Sequence, residues 1–338
     1  MSAAACPRVV VATPTPFDDD GNVSTDGIAR QVRWLADQGI TGIIAGGTTG
    51  EFAGMTAMER VTVLESTRSA LGPAGYIMGN VSACSLDDAV SLAEQAIDSA
   101  GKPDALLVLP PFYHAPFSQA LGHLGVEAFF MAFFERYAAL KATKAVSLPC
   151  IFLYTFSMHT QQPVSTETYG RLAAKFPTLL GGIKASAVSV EQAQEFAAAA
   201  PQHTVMIGNG RSNLASLRAG LSIVSGDCCG VAWALSKLLR LVEEGDEAGA
   251  EAVQAALVSI WRVTVMDKYD EVPAVKAAFE RTVGTGRATR PPLVPLSSAD
   301  ASIVADGMAR LRTALDAIGG AAEATPANGS PQKRAKRD

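Results

Sequence analysis

Eight short apolar runs recur along this chain, rich in β-branched residues and ending among Gly, Thr, Ser and Pro, with helix-like segments between them. They are RVVVATPTPF (8–17), ITGIIAGGTTG (40–50), YIMGNVS (76–82), ALLVLPPFY (105–113), CIFLYT (150–155), LGGIKAS (180–186), TVMIGNG (204–210) and SIVSGDC (222–228). Eight strands is the number that closes a (β/α)8 barrel. The segment 24–39 opens on a Ser or Thr cap, places apolar residues at helical spacing and stops at Gly39. Residues 85–101 repeat that plan with acidic residues in the first turn, where the helix dipole favours them, and residues 189–201 do so after the sixth run. Near-continuous apolar strands alternating with helices predict a parallel sheet buried on both faces. A doubly wound open sheet is the rival fold; it usually carries a glycine-rich dinucleotide fingerprint after its first strand, and ATPTPFDDDG is not one.

The expected architecture is therefore an α/β chain whose residues 1–230 form a (β/α)8 TIM barrel core. Helical patterns at 231–244, 247–267, 273–283 and 298–318 supply the last barrel helix and a C-terminal helical cap. From residue 319 the chain loses apolar periodicity, which predicts a disordered basic tail over 319–338. Its QKRAKRD end reads as solvated charge, with a nuclear address or a contact for an acidic partner as the alternative.

Composition narrows the partner. The 338 residues are 48% hydrophobic and 18% charged, with a formal net charge of -5, so nothing draws the chain to nucleic acid or to a membrane surface. A small-molecule partner is expected. Cys6, Cys84, Cys150, Cys228 and Cys229 show neither CxxC pairing nor metal-type spacing with the four histidines, and read as reduced, mostly buried thiols. The first strand begins near Val9, leaving little room for a cleaved transit peptide, and no apolar run reaches the roughly 18 residues of a membrane span. These features point to a cytoplasmic protein.

In a barrel of this kind the active site lies at the C-terminal ends of the strands. The residues closing the runs are unusually polar: Thr48, Thr49 and Glu51 in GGTTGE, Tyr113 and His114 in PPFYHAP, Tyr154 in LYTFS, Lys184 in GGIKAS, and Asn209 and Arg211 in GNGRSN. Burial inside a barrel strips an ammonium of hydration and favours the neutral amine. A neutral amine attacks a carbonyl and forms a Schiff base, whose iminium withdraws electrons from the neighbouring carbon and lets a carbon–carbon bond break or form. Lys184 is equally well read, from its strand alone, as one half of a buried ion pair. A phenol at Tyr154 can relay protons beside an iminium, or pack as a rim aromatic. The turn at Gly47, Thr48 and Thr49 offers backbone amides and two hydroxyls, a cradle for a carboxylate.

Together these residues resemble the dihydrodipicolinate synthase / N-acetylneuraminate lyase family of class I Schiff-base pyruvate aldolases. The resemblance spans roughly residues 8–300 and is carried most specifically by GGTTGEF and GGIKAS, with PTPF and PPFYHAP in support. It implies that Lys184 forms the Schiff base with pyruvate or another 2-oxo acid and that Tyr154 relays protons. It further implies that Thr48 and Thr49 bind the carboxylate, Thr49 sharing in the relay, and that Tyr113 reaches a neighbouring subunit's site in a homo-oligomer, a dimer or tetramer. No metal or organic cofactor is implied, since the iminium supplies the electron sink.

Departures from the family pattern bear on the substrate. The usual YNxP after the fifth strand reads YTFS here, and His159 stands where dihydrodipicolinate synthases carry the arginine that holds the aldehyde's carboxylate. Where neuraminate lyases place an acidic pair after the seventh strand, this chain has Gly210 and Arg211, the latter a candidate for a carboxylate or phosphate at the substrate's far end. RPPLVPL (290–296) and PFYHAP are more similar to 2-keto-3-deoxy-sugar-acid aldolases. The expectation is a lyase that cleaves a 4-hydroxy-2-oxo acid into pyruvate and an aldehyde, or runs the reverse. Enzymatic rivals are the dihydrodipicolinate synthase, the neuraminate lyase and a deoxy-sugar-acid dehydratase. Rivals of another class are a non-catalytic barrel and a phosphate-binding barrel using GNGRSN and SGDCCG as cradles.

Overall fold

A computed structural model describes residues 5–113, 119–144 and 147–318. The eight strands are β1 (Val9–Ala12), β2 (Gly42–Ala45), β3 (Tyr76–Asn80), β4 (Ala105–Val108), β5 (Cys150–Thr155), β6 (Leu180–Ser186), β7 (Thr204–Gly208) and β8 (Ser222–Ser225). All pair in parallel with their sequence neighbours, and β8 pairs back to β1, so the sheet closes on itself. Each predicted run holds one strand. The rival open sheet is excluded by the β1–β8 ladder, which an open sheet lacks.

Between the strands run α1 (Thr25–Asp37), α2 (Ala57–Leu71), α3 (Leu86–Asp98), α4 (Gln119–Lys144), the short α5 (Ser157–Thr160), α6 (Thr166–Lys175), α7 (Val190–Ala199) and α8 (Asn213–Arg218). Their starts follow capping chemistry. The side chains of Ser24, Ser85, Ser165 and Ser189 each accept a backbone N–H from the first turn, and Thr56 and Glu59 form a reciprocal capping box. Most of the barrel wall is apolar: Val10, Val11, Ile43, Ile44, Ile77, Leu106, Leu107, Ile183 and Ile207 have no exposed surface. Burial at that level stabilises each side chain by about 1.5–3 kcal/mol.

After β8 come α9 (Ala232–Glu244), α10 (Glu247–Ala256), a π-helical stretch (Leu257–Met266), α11 (Glu271–Val283) and α12 (Ser298–Ala317). The helix α9 packs on β1 and completes the ring, while α12 packs on the π-helical stretch and α11. The predicted tail at 319–338 and His114 lie outside the described residues. All five cysteines are free, but only Cys228 and Cys229 are buried; Cys6 and Cys150 are half-buried and Cys84 is exposed, so the expectation of mostly buried thiols holds for two. Among the described residues no helix is long and apolar enough to cross a membrane.

Candidate active site

The register of β5 against β6 brings the two principal candidates together. Tyr154 and Lys184 are ladder partners, so their side chains leave adjacent strands on the same face. Both are almost fully buried, and Lys184 Nζ lies 4.0 Å from the centroid of the Tyr154 ring. Among the described residues the ammonium rests on this ring and forms no ion pair. Gly182 permits the approach of β7 beside it: a Cβ there would stand 2.1 Å from the Thr204 carbonyl oxygen.

The Tyr154 hydroxyl has two partners at 3.4 Å, Thr48 Oγ1 from the turn after β2 and Ser186 Oγ two residues beyond the lysine. A chain of hydroxyls thus runs from the glycine-rich turn to the phenol above Lys184. The turn itself is pinned from three sides. Glu51 takes the left-handed backbone conformation (φ 61°), its N–H donating to the Thr48 carbonyl at 3.0 Å, and the Gly47 carbonyl accepts from Phe52 N–H at 3.3 Å. Thr15, from the PTPF run, donates to the Gly50 carbonyl at 2.7 Å. The Glu51 carboxylate pairs with the buried Lys276 of α11 and accepts the Arg290 N–H at 3.0 Å.

Thr49 is met by a residue that strand-end reasoning does not reach. Its Oγ1 donates to Glu271 Oε1 at 2.7 Å, where α11 starts over the barrel mouth. Glu271 keeps an exposed surface, yet its carboxyl is crowded by protein. That crowding, with Asp227 nearby, raises its carboxyl above the usual range despite the Thr49 hydrogen bond and the positive charges of Lys184 and Arg262. Gly226 makes room for the contact, since a Cβ there would fall 2.3 Å from Thr49 Oγ1 and 2.4 Å from Glu271 Oε1. Asp227 accepts from Ser225 Oγ at 2.7 Å and from Arg262 at 3.0 Å. Asp227 is thus paired with Arg262, and Glu271 is the further carboxyl on the β8 side.

The remaining candidates are less central. Arg211 is spent on Asp267 at 2.5 Å, and Asn209 holds its own loop, accepting Arg211 N–H at 3.2 Å and donating to the Val188 carbonyl at 3.3 Å. His159 lies in α5 with its ring edge-on to Phe156 at 4.4 Å, which in turn stacks on Tyr154 at 5.9 Å; partial burial lowers the imidazole pKa. In place of the family's asparagine, Thr155 accepts the Val164 N–H at 3.1 Å and closes the loop. Tyr113 is 81% exposed. Two amides of the segments expected to cradle a phosphate have partners within the chain. The Arg211 N–H goes to Asn209 and the Cys228 N–H to Ser225 Oγ, and an anion there would meet the Asp227 carboxylate.

Comparison with known proteins matches this geometry to a family. The model of the dihydrodipicolinate synthetase family matches residues 5–309. The chain belongs to this family. Among its relatives, an uncharacterised DapA-like lyase of Chloroflexus aurantiacus is 31% identical over 92% of this chain and 96% of its own length. A 4-hydroxy-tetrahydrodipicolinate synthase of a Synechococcus species is 29% identical over 90% and 95%. The sialic acid aldolase of Ruminococcus gnavus shares the fold, with a TM-score of 0.80 at 20% identity over 92% of this chain and 98% of its own. Membership makes the protein an aldolase-like lyase of the class I pyruvate type.

Proposed function

We propose that this enzyme cleaves or forms a 4-hydroxy-2-oxo acid through a Schiff base on Lys184, with a neutral, hydroxylated aldehyde half of the 2-keto-3-deoxy-sugar-acid type. The observation that carries the covalent step is the Tyr154–Lys184 pair, a buried amine with a phenol against it and a hydroxyl chain leading from that phenol. Lys184 Nζ attacks C2 of the 2-oxo acid, and Tyr154 gives its proton to the departing hydroxyl, so that loss of water leaves the iminium and a phenolate. Tyr154 takes the proton of the C4 hydroxyl, the C3–C4 electrons move into the iminium, and the aldehyde departs. The resulting enamine is protonated at C3, and water releases pyruvate and the free amine. The Gly47–Thr49 turn holds the 2-oxo acid carboxylate. No external cofactor is needed for these steps, and the enzyme works as a homo-oligomer in which the exposed Tyr113 meets a neighbouring subunit.

The choice of aldehyde rests on charge at the mouth. Glu271 and Asp227 face it, whereas Arg211 and Arg262 are tied to Asp267 and Asp227. A carboxyl group accepts hydrogen bonds from sugar hydroxyls, and arginines that are already paired offer a carboxylated aldehyde no free cation. The test is pyruvate release from 2-keto-3-deoxy sugar acids, followed with a coupled lactate dehydrogenase. Steady release with a matching aldehyde is expected. Loss of water without aldehyde would make the enzyme a dehydratase. The relatives named as synthases favour a second reading, for which the decisive result is pyruvate-dependent consumption of aspartate semialdehyde.

A further inference from the structure

The hydrogen bond from Thr49 to Glu271 sets a carboxyl group on the hydroxyl that the proposed function gives to the 2-oxo acid. A threonine hydroxyl carries one hydrogen. While Thr49 Oγ1 donates it to Glu271 Oε1 at 2.7 Å, only lone pairs face an incoming carboxylate. The bond is not a loose surface contact. Gly226 is backed against both atoms, with space for a hydrogen but not for a Cβ. A substrate carboxylate arriving at Thr49 would also stand beside the Glu271 charge.

The charged and titratable groups that act on Glu271 are Lys184 on β6, Asp227 after β8, Arg262 on the π-helical stretch, and the buried Cys229 thiol. Desolvation and the Asp227 charge raise the carboxyl's pKa, and the Thr49 hydrogen bond, Lys184 and Arg262 oppose that shift. Protonation resolves both conflicts. A protonated Glu271 donates its own hydrogen to Thr49 Oγ1, and the threonine hydrogen is then free to turn toward the substrate.

We propose that Glu271 is a positioning residue that couples binding of the 2-oxo acid carboxylate at Thr49 to the uptake of one proton from solvent. This rests on the assignment of Lys184 and Thr49 under the proposed function. No covalent bond other than the Glu271 O–H is made, no electrons are transferred, and the charge added by the substrate is offset by the proton taken up. The enzyme is thereby tuned to hold 2-oxo acids more tightly as pH falls.

The test uses pyruvate and the full chain. Isothermal titration calorimetry across about pH 5 to 8, in two buffers of different ionisation enthalpy, gives both affinity and protons taken up. Wild-type affinity is expected to fall as pH rises, by up to about tenfold per pH unit for one linked proton, with net proton uptake on binding. In Glu271→Gln, whose amide can donate to Thr49 without titrating, the slope should be shallower by one proton, and Glu271→Ala should behave likewise. Equal slopes in wild type and variants, or no proton uptake by wild type, overturns the coupling. Borohydride trapping of the same samples separates the two levels. An adduct at Lys184 with equal slopes removes only the coupling, and absence of an adduct in every protein at every pH removes the Schiff-base reading with it.

Discussion

Lys276 of α11 and Glu51 of the glycine-rich turn form an ion pair with 0% and 3% side-chain exposure, so the helical cap holds the turn that carries Thr48 and Thr49. Lys276 also donates to the Ala288 carbonyl at 2.5 Å and lies 4.3 Å from the Phe17 ring centroid. Burial pushes the lysine pKa down, and Glu51 opposes that shift. Lys276→Ala leaves a buried carboxylate without its cation, which should destabilise the fold by about 3–5 kcal/mol in urea denaturation. A loss under about 1 kcal/mol would show that the pair does not brace the turn.

A second strut gives a pH signature. Arg290 holds the Glu59 carboxyl down to about 2, against an ordinary 4.5, and its guanidinium also donates to the Gly21 and Gly54 carbonyls. A depressed folded-state pKa means stability that is complete above about 4.5 and is lost as pH falls toward 2. Thermal melts of wild type should drop through that window. In Glu59→Gln that part of the acid loss should be absent, and an unchanged acid limb would assign it to other carboxyls.

Tyr154→Phe keeps the ring under Lys184 Nζ and removes the hydroxyl between Thr48 and Ser186. Turnover should fall by about 10²–10⁴-fold, the usual contribution of a positioned acid–base group, while pyruvate is still trapped on the lysine. A variant within about threefold of wild type in kcat would move the relay to another residue.

Gly226→Ala drives a methyl group into Thr49 Oγ1 and Glu271 Oε1, at 2.3 and 2.4 Å. A displaced Thr49 Oγ1 no longer reaches the substrate carboxylate; losing that hydrogen bond to a charged group costs about 1.5–3 kcal/mol, so KM for the 2-oxo acid should rise by about 10- to 100-fold. The melting temperature should move little, because the mouth can yield outward. An unchanged KM would contradict the placement of the carboxylate at Thr49.

The barrel was legible because each strand repeats the same local signal, an apolar run closed by small or polar residues, and because fold and site share one rule. Strand register decides where a side chain points, so Lys184, Tyr154 and Thr48 meet as their positions require. Glu271 was hidden for the opposite reason. It opens a helix beyond the barrel, where an acid reads as a dipole partner, and nothing local says that this first turn lands on Thr49. The ion pair of Arg211 is hidden in the same way, since its partner Asp267 is 56 residues along the chain. Ser186, by contrast, closes the lysine run and is open to strand-end reading.

The covalent role of Lys184 is tested most directly by adding pyruvate and borohydride to the protein and mapping the product by peptide mass spectrometry. One N6-(1-carboxyethyl)lysine at Lys184, absent without pyruvate and absent in Lys184→Ala, is the expected result. An unmodified Lys184 under conditions where the enzyme turns over, or an adduct on a different lysine, would contradict it.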